Sequence, residues 1–182
     1  TPQCIGETKI TTVVIDEYTN PNLDYLNLLR KPSDPDTNRL IAFAGVQSHQ
    51  FPRAMDLAAL AVSRGAMAII GGPHAMTCDT TEHQGKGVSF SLAEAELVWK
   101  QILSDAAEGE LQDVYGSQQR WQQDLESFVI QPPPDSVLNR SLIRMHGLYP
   151  SRGCVFKCNF CSVIQISGNV VRSQSIEATL AS

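Results

Sequence analysis

A run of apolar residues that does not alternate with polar ones is best buried on both faces, and the first half of this chain contains three such runs. They are 10–15 (ITTVVI), 40–46 (LIAFAGV) and 67–70 (MAII), the last stopped by Gly71-Gly72-Pro73. Runs of this kind suit parallel strands covered by helices rather than the half-wet strands of an antiparallel sheet. Segment 52–64 supplies a helix between two of them. Pro52 fits a first turn, where its missing N–H costs nothing; Ala, Leu and Met dominate the middle, and Gly65 is placed to end it. Strand, helix and strand then occupy about thirty residues, the size of a right-handed βαβ crossover.

A second helix is signalled after Ser91-Leu92-Ala93-Glu94, which has capping-box form. Val98, Trp99, Ile102 and Leu103 recur at helical spacing, and Gly109 closes the segment. Leu111 to Tyr115 reads as a short returning strand. The expectation is an α/β fold, a Rossmann-like parallel sheet over 1–115. From Gly116 the character changes: Gln118, Gln119, Gln122 and Gln123 are polar, and Pro132-Pro133-Pro134 forbids a helix. Residues 116–147 therefore read as a connector, although Trp121, Leu125 and Phe128 are too apolar for a free linker.

Such a sheet binds ligands at the carboxyl ends of its strands. That edge would carry Gln47-Ser48-His49-Gln50, Gly71-Gly72-Pro73-His74 and Ser89-Phe90-Ser91. Adjacent glycines allow close backbone approach to a ligand, and equally make an ordinary turn. Glu94 and Glu96 read as a ligand-facing pair or as dipole partners in a first helical turn. With no G-x-G-x-x-G and no Walker-type lysine loop, a nucleotide phosphate site is not expected.

Composition excludes some classes. The 182 residues are 42% hydrophobic and 18% charged, ordinary for a globular protein. A net charge of −5 gives no basic footprint for nucleic acid. No apolar run reaches the roughly 20 residues of a membrane span. The chain opens Thr1-Pro2-Gln3-Cys4 with neither Met nor a signal segment, so the expectation is a soluble cytoplasmic protein whose start is internal to a longer one.

Three of the five cysteines, Cys154, Cys158 and Cys161, fall within eight residues. An odd total so clustered argues against a disulfide framework and for metal binding in a reducing compartment. Three thiolates on one loop can hold three irons of a 4Fe–4S cluster and leave the fourth open. Gly153 lets the backbone wrap the cluster, and Arg152 and Lys157 can offset thiolate charge. Zinc is the rival ion. A structural zinc site takes four ligands; Cys158 and Cys161 form the one C-x-x-C pair here, so His74 or His146 would have to complete the set. Three unrelated core cysteines are a further alternative, against which stand the Gly, Lys and Asn around them. Cys4 and Cys78 stand apart and receive no role, and His49, His74, His83 and His146 are scattered.

The stretch Ser151-Arg152-Gly153-Cys154-Val155-Phe156-Lys157-Cys158-Asn159-Phe160-Cys161 closely resembles the signature of radical S-adenosylmethionine (radical SAM) enzymes, a C-x3-C-x-aromatic-C pattern preceded by S-R-G. Earlier pieces resemble the cobalamin-binding domain that precedes the radical SAM barrel in one branch: 45–54 (GVQSHQFPRA), 70–74 (IGGPH), and Ala93-Glu94-Ala95-Glu96 with Trp99. Gly168 and Arg172-Ser173 resemble its Gly and Arg-rich strand entry further on. The resemblance covers nearly the whole chain.

It implies that Cys154, Cys158 and Cys161 bind a 4Fe–4S cluster whose free iron chelates S-adenosyl-L-methionine, with Phe160 near the adenine. One electron, from a donor such as flavodoxin or ferredoxin, would cleave that cofactor to a 5′-deoxyadenosyl radical, which abstracts hydrogen from a small-molecule substrate. Cobalamin would lie against Gln47, Ser48, Gly71, Gly72, His74 and Glu94 and relay a methyl group. The D-x-H-x-x-G pattern is absent, so no histidine of that motif would be its lower ligand. The implied organisation is a cobalamin-binding-like Rossmann domain at 1–115, a connector at 116–147, and the first β/α unit of a partial radical SAM barrel at 148–182. Only 21 residues follow Cys161, so the chain is expected to stop within the barrel and to be inactive alone. Two other functions stay open: a non-catalytic corrinoid- or metal-binding module, and a methylthiotransferase-like radical enzyme. The latter group carries three more N-terminal cysteines, where this chain offers Cys4 and Cys78.

Overall fold

The computed structural model describes residues 1–17, 20, 22–30, 32–122, 124–125, 135–139 and 147–181. It opens with a two-stranded antiparallel hairpin, β1 (Cys4–Ile5) and β2 (Thr8–Lys9), and a single-turn helix, α1 (Tyr25–Leu28), capped by the Asp24 carboxylate accepting from the Asn27 N–H. The central element is a parallel sheet of β3 (Leu40–Phe43), β4 (Met67–Gly71), β5 (Val88–Ser91) and β6 (Val114–Tyr115), lying side by side in chain order. Register aligns Ala42 with Ile69, Ile70 with Phe90, and Ser91 with Tyr115.

Helix α2 (Phe51–Ser63) joins β3 to β4, starts with Pro52 in its first turn, and gives way to Gly65 at φ +77°. Helix α3 (Pro73–Thr77) follows β4, and α4 (Ala95–Glu108) follows β5 and ends at Gly109 in the left-handed conformation. Strand alternation divides the core. Ala68 and Ile70 point with Val88 and Phe90 towards Ala54, Ala58 and Ala61 of α2, whose short side chains let helix and sheet approach closely. Ile69 points the other way, into Val98, Ile102 and Tyr115. Burying each large residue, such as Phe90 or Ile102, contributes about 2–3 kcal/mol. The α/β reading, with a Rossmann-like parallel sheet, therefore holds over residues 40–115.

Two local expectations fail. The run at 10–15 forms no sheet strand: it has no regular structure from Ile10 on, and Val13 is 74% exposed. Strand preference expresses fit to a pleated, half-buried surface, and without a ladder partner β-branching does not make a strand. The run ends instead at Glu17, whose carboxylate is held by Arg53 of α2 and by the Tyr25 hydroxyl. The capping box fails too. Ser91 lies inside β5 and its hydroxyl donates to the Ala93 carbonyl, while Glu94 precedes α4 with its side chain turned elsewhere.

Part of the connector, including Phe128 and the three prolines, falls outside the described residues. Beyond it come α5 (Asp135–Leu138), β7 (Ser151–Arg152), α6 (Val163–Ser167), β8 (Arg172–Ser173) and α7 (Ile176–Ala181). The strand-then-helix order of a β/α unit is present in β7 and α6. However, β7 pairs antiparallel with β8, so a barrel's parallel pairing is not formed among the described residues. Among those residues no helix is long and apolar enough to cross a membrane.

Candidate metal loop and the cleft beside it

The β7–β8 pair closes a loop. Arg152 stands opposite Arg172, so residues 153–171 leave and return at one point with all three clustered cysteines between. Gly153 makes the exit turn at φ +96°, where a Cβ would lie 2.1 Å from the Val170 carbonyl oxygen, so a side chain has no room. The Cys154 N–H then donates to the Gly168 carbonyl at 3.1 Å, and the Cys161 N–H to the Cys158 carbonyl at 3.1 Å. Cys154 and Cys161 are half-buried, Cys158 is exposed, and all are free thiols. The apolar residues between the cysteines face outwards: Val155 and Phe156 are exposed, and Phe160 is 93% exposed with nothing packed over it.

The donor chemistry of this loop fits an iron–sulfur cluster, with three thiols, no carboxylate between them, and backbone room provided by a glycine. The side chains are neighbours along the chain rather than converged in space. Among the described residues, no three His, Cys, Asp or Glu side chains are grouped closely enough to hold a metal ion. Between Gly153 and Ser162 the loop has no helix or strand, and metal binding orders segments of that kind. His146, a possible fourth ligand for zinc, lies outside the described residues. His74 is engaged elsewhere.

The carboxyl edge of the sheet bears an open cleft of about 190 Å³, walled by Ala42, Gly71, Ser91, Ala93, Trp99 and Ile102 among others. Gly72 and Glu94 also line it, so three of the expected cofactor-facing residues meet there. The other three do not line it. Gln47 and Ser48 sit exposed beyond β3, the Gln47 N–H bonded to the Gln50 side chain. His74 Nδ1 is 3.1 Å from Ser48 Oγ, and its ring stacks on Phe51 at 3.9 Å. Burial, helped by the nearby His83, holds the His74 imidazole below its ordinary value of 6.5.

Glu94 is the most constrained acid in the region, 8% exposed. Arg172 grips it with both guanidinium nitrogens, Nη2 to Oε1 and Nη1 to Oε2, each at 2.9 Å. The Gln122 N–H donates to Oε2, and Arg152 Nη1 lies 3.4 Å from Oε1. Arg152 also bonds Glu96 at 2.7 Å. Burial alone would raise the Glu94 pKa. The hydrogen bonds from Arg172 and Gln122, with the charges of both arginines, outweigh it and hold the carboxyl below its ordinary value of 4.5. The reading of Glu94 as a dipole partner of α4 is thus displaced by a two-arginine ion pair.

The pairing of these arginines with Glu94 has no counterpart in the sequence pattern, whereas Trp121, too apolar for a free linker, is ordered against the loop. The Trp121 indole N–H donates to the Ile166 carbonyl at 2.8 Å, and its ring covers Gly168. The available signal was an arginine on each flank of a cysteine loop, although nothing local names as their shared target a glutamate that lies 78 residues before Arg172. Comparison of the chain with protein-family models, with curated proteins and with solved structures finds no match.

Proposed function

We propose that this chain is part of a radical SAM enzyme in which Cys154, Cys158 and Cys161 hold a 4Fe–4S cluster. What carries the reading is three free thiols within eight residues of one loop, opened by a glycine that tolerates no side chain. Such a cluster, when bound and reduced, supplies one electron for cleaving S-adenosylmethionine. The residues of the chain prepare for it. Gly153 turns the backbone inwards, the Cys154 N–H is tied to Gly168, and the exposed ring of Phe160 is free to cover a flat ligand such as adenine. Substrate identity, an electron donor such as flavodoxin or ferredoxin, and methyl transfer belong to the proposal as a whole.

The cleft supports a corrinoid-binding ancestry for the sheet, because it opens at the carboxyl edge where such folds take ligands and has small side chains on its walls. Addition of hydroxocobalamin should then change its visible spectrum in proportion to protein.

The deciding experiment is anaerobic reconstitution of the full chain with ferrous iron and sulfide. About four irons per chain and a broad visible absorption are expected, both lost in Cys158→Ala. A single tetrahedral zinc in the purified protein, or retention of the absorption in that variant, would overturn the assignment.

A further inference from the structure

Glu94 is the carboxylate on which both arginines flanking the cysteine loop meet. Glu94 sits at the end of the β5 edge, in the wall of the cleft, and takes Arg152 from β7 and Arg172 from β8. Those arginines are paired across the ribbon from which the loop departs, with Cys154 only two residues beyond Arg152. Arg172 also donates to the Ser167 carbonyl at 2.7 Å and to the Gln122 carbonyl. Three successive carbonyls at the end of α6 are therefore taken, Ile166 by Trp121, Ser167 by Arg172 and Gly168 by the Cys154 N–H. Neither Glu94 nor Arg172 has solvent to fall back on, each being 8% exposed. A buried charge that loses its partner is strongly disfavoured, so loss of this contact loosens a ribbon that otherwise keeps only the Arg152–Glu96 pair, the Trp121 bond to Ile166 and the packing of α6 on α3.

We infer that Glu94 is a positioning residue, the carboxylate that docks the cysteine loop against the carboxyl edge of the parallel sheet and so fixes the surroundings of a cluster bound there. Its spectroscopic consequence rests on the cluster reading; its mechanical consequence does not. The geometry assigns the fork of Arg172 the larger share, because it engages both oxygens, and Arg152 the smaller one, because it is shared with Glu96.

Limited trypsin digestion of the metal-free full chain tests the docking at Arg152, whose side chain is 22% exposed and is held in β7 by Glu94 and Glu96. Glu94→Gln and Arg172→Met should each speed cleavage there at least about tenfold, since local opening sets access when reclosing is fast. The double variant should be no faster than either single one, because the two residues act as one contact. Arg172→Lys keeps the charge but loses the fork, and should fall between wild type and Arg172→Met. Far-UV circular dichroism of each variant should retain the α/β signal; a variant that loses it is set aside, and Arg172→Lys then decides. Wild-type cleavage rates in the single variants, or rates that multiply in the double, overturn the inference. After anaerobic reconstitution, Glu94→Gln should also shift the midpoint potential and electron paramagnetic resonance spectrum of the cluster. If wild type takes up no iron, the cluster reading fails and digestion still decides the docking. If wild type holds a cluster but Glu94→Gln matches it in digestion, potential and spectrum, the docking fails and the cluster reading stands.

Discussion

Replacing Gly72 by alanine puts a methyl group where two loop backbones already touch. Gly72 lies at φ +132°, ψ −173°, a region essentially restricted to glycine, so the new side chain costs about 1–3 kcal/mol through conformation alone. Its Cβ would also fall 2.3 Å from the Val46 nitrogen, 2.6 Å from the Gly45 carbonyl carbon and 2.8 Å from the Gly45 Cα. These are backbone atoms, and they cannot step aside as the end of a flexible side chain does. Moving them strains two hydrogen bonds that tie the β3 and β4 loops together, Val46 N–H to Gly71 O and His74 N–H to Val46 O, each 3.0 Å. At about 1 kcal/mol for each bond, the expected total is roughly 3–5 kcal/mol. In a urea titration followed by circular dichroism, with a slope of about 2 kcal/mol per molar, the midpoint falls by roughly 1.5–2.5 M. Gly71 is the control. It has no left-handed backbone, and its Cβ would meet only the Ser91 side chain, Cβ at 3.3 Å and Oγ at 3.9 Å, so Gly71→Ala stays within about 1 kcal/mol of wild type. Equal losses at the two positions, or a Gly72→Ala variant as stable as wild type, would show that neither the backbone conformation nor the close approach at Gly72 excludes a side chain. The difference matters for function, because it assigns Gly72 to the chain's own close packing and leaves Gly71, whose tight neighbour is a single serine side chain, as the less constrained glycine beside the cleft.

Gly153→Ala meets the Val170 carbonyl at 2.1 Å and should lower iron uptake on reconstitution as severely as loss of a cysteine, read by iron analysis, with the parallel sheet intact by circular dichroism. The Glu94 carboxyl, held below 4.5, contributes stability that is present above that value and lost as pH falls through its folded pKa. Thermal melts should therefore show wild type ahead of Glu94→Gln by about 3 kcal/mol near neutrality, with the gap closing below pH 4.5. Tyr115 is pushed up to about 12 by burial and by its 2.7 Å hydrogen bond to Asp105, so its contribution holds below its ordinary value of 10.0 and fades as pH rises through 12. An ultraviolet phenolate titration should show a late-ionising tyrosine that Tyr115→Phe removes, at a cost of about 1–2 kcal/mol at neutral pH.

The extent to which the fold was legible varies with the range of the signal. Helices α2 and α4 could be read because their information is local: Pro52 and Gly65 bracket one, and Gly109 stops the other in the conformation that only glycine adopts cheaply. Strand β4 could be read because residues buried on both faces have to be apolar throughout, while β3, at the sheet edge, is apolar although only half-buried. The run at 10–15 is equally β-branched and yet forms no ladder, since a strand needs a neighbour and residue preference does not supply one. The Ser91-to-Glu94 capping box failed for a related reason. The pattern was right, but β5 claimed Ser91 and two distant arginines claimed Glu94.

The order of residues on its own determined the alternation of buried strands and helices, the glycine stops, and the gathering of three thiols on one short loop, because each depends on neighbours a few positions apart. Tertiary structure decided the rest. It separated Gly71, Gly72 and Glu94, which wall the cleft, from His74 and Ser48, which pair with each other. It also placed Glu94 under two arginines, one 78 residues further along the chain. A buried charge takes whichever opposite charge the fold brings within about 3 Å, and only the path of the backbone through space determines which one that is.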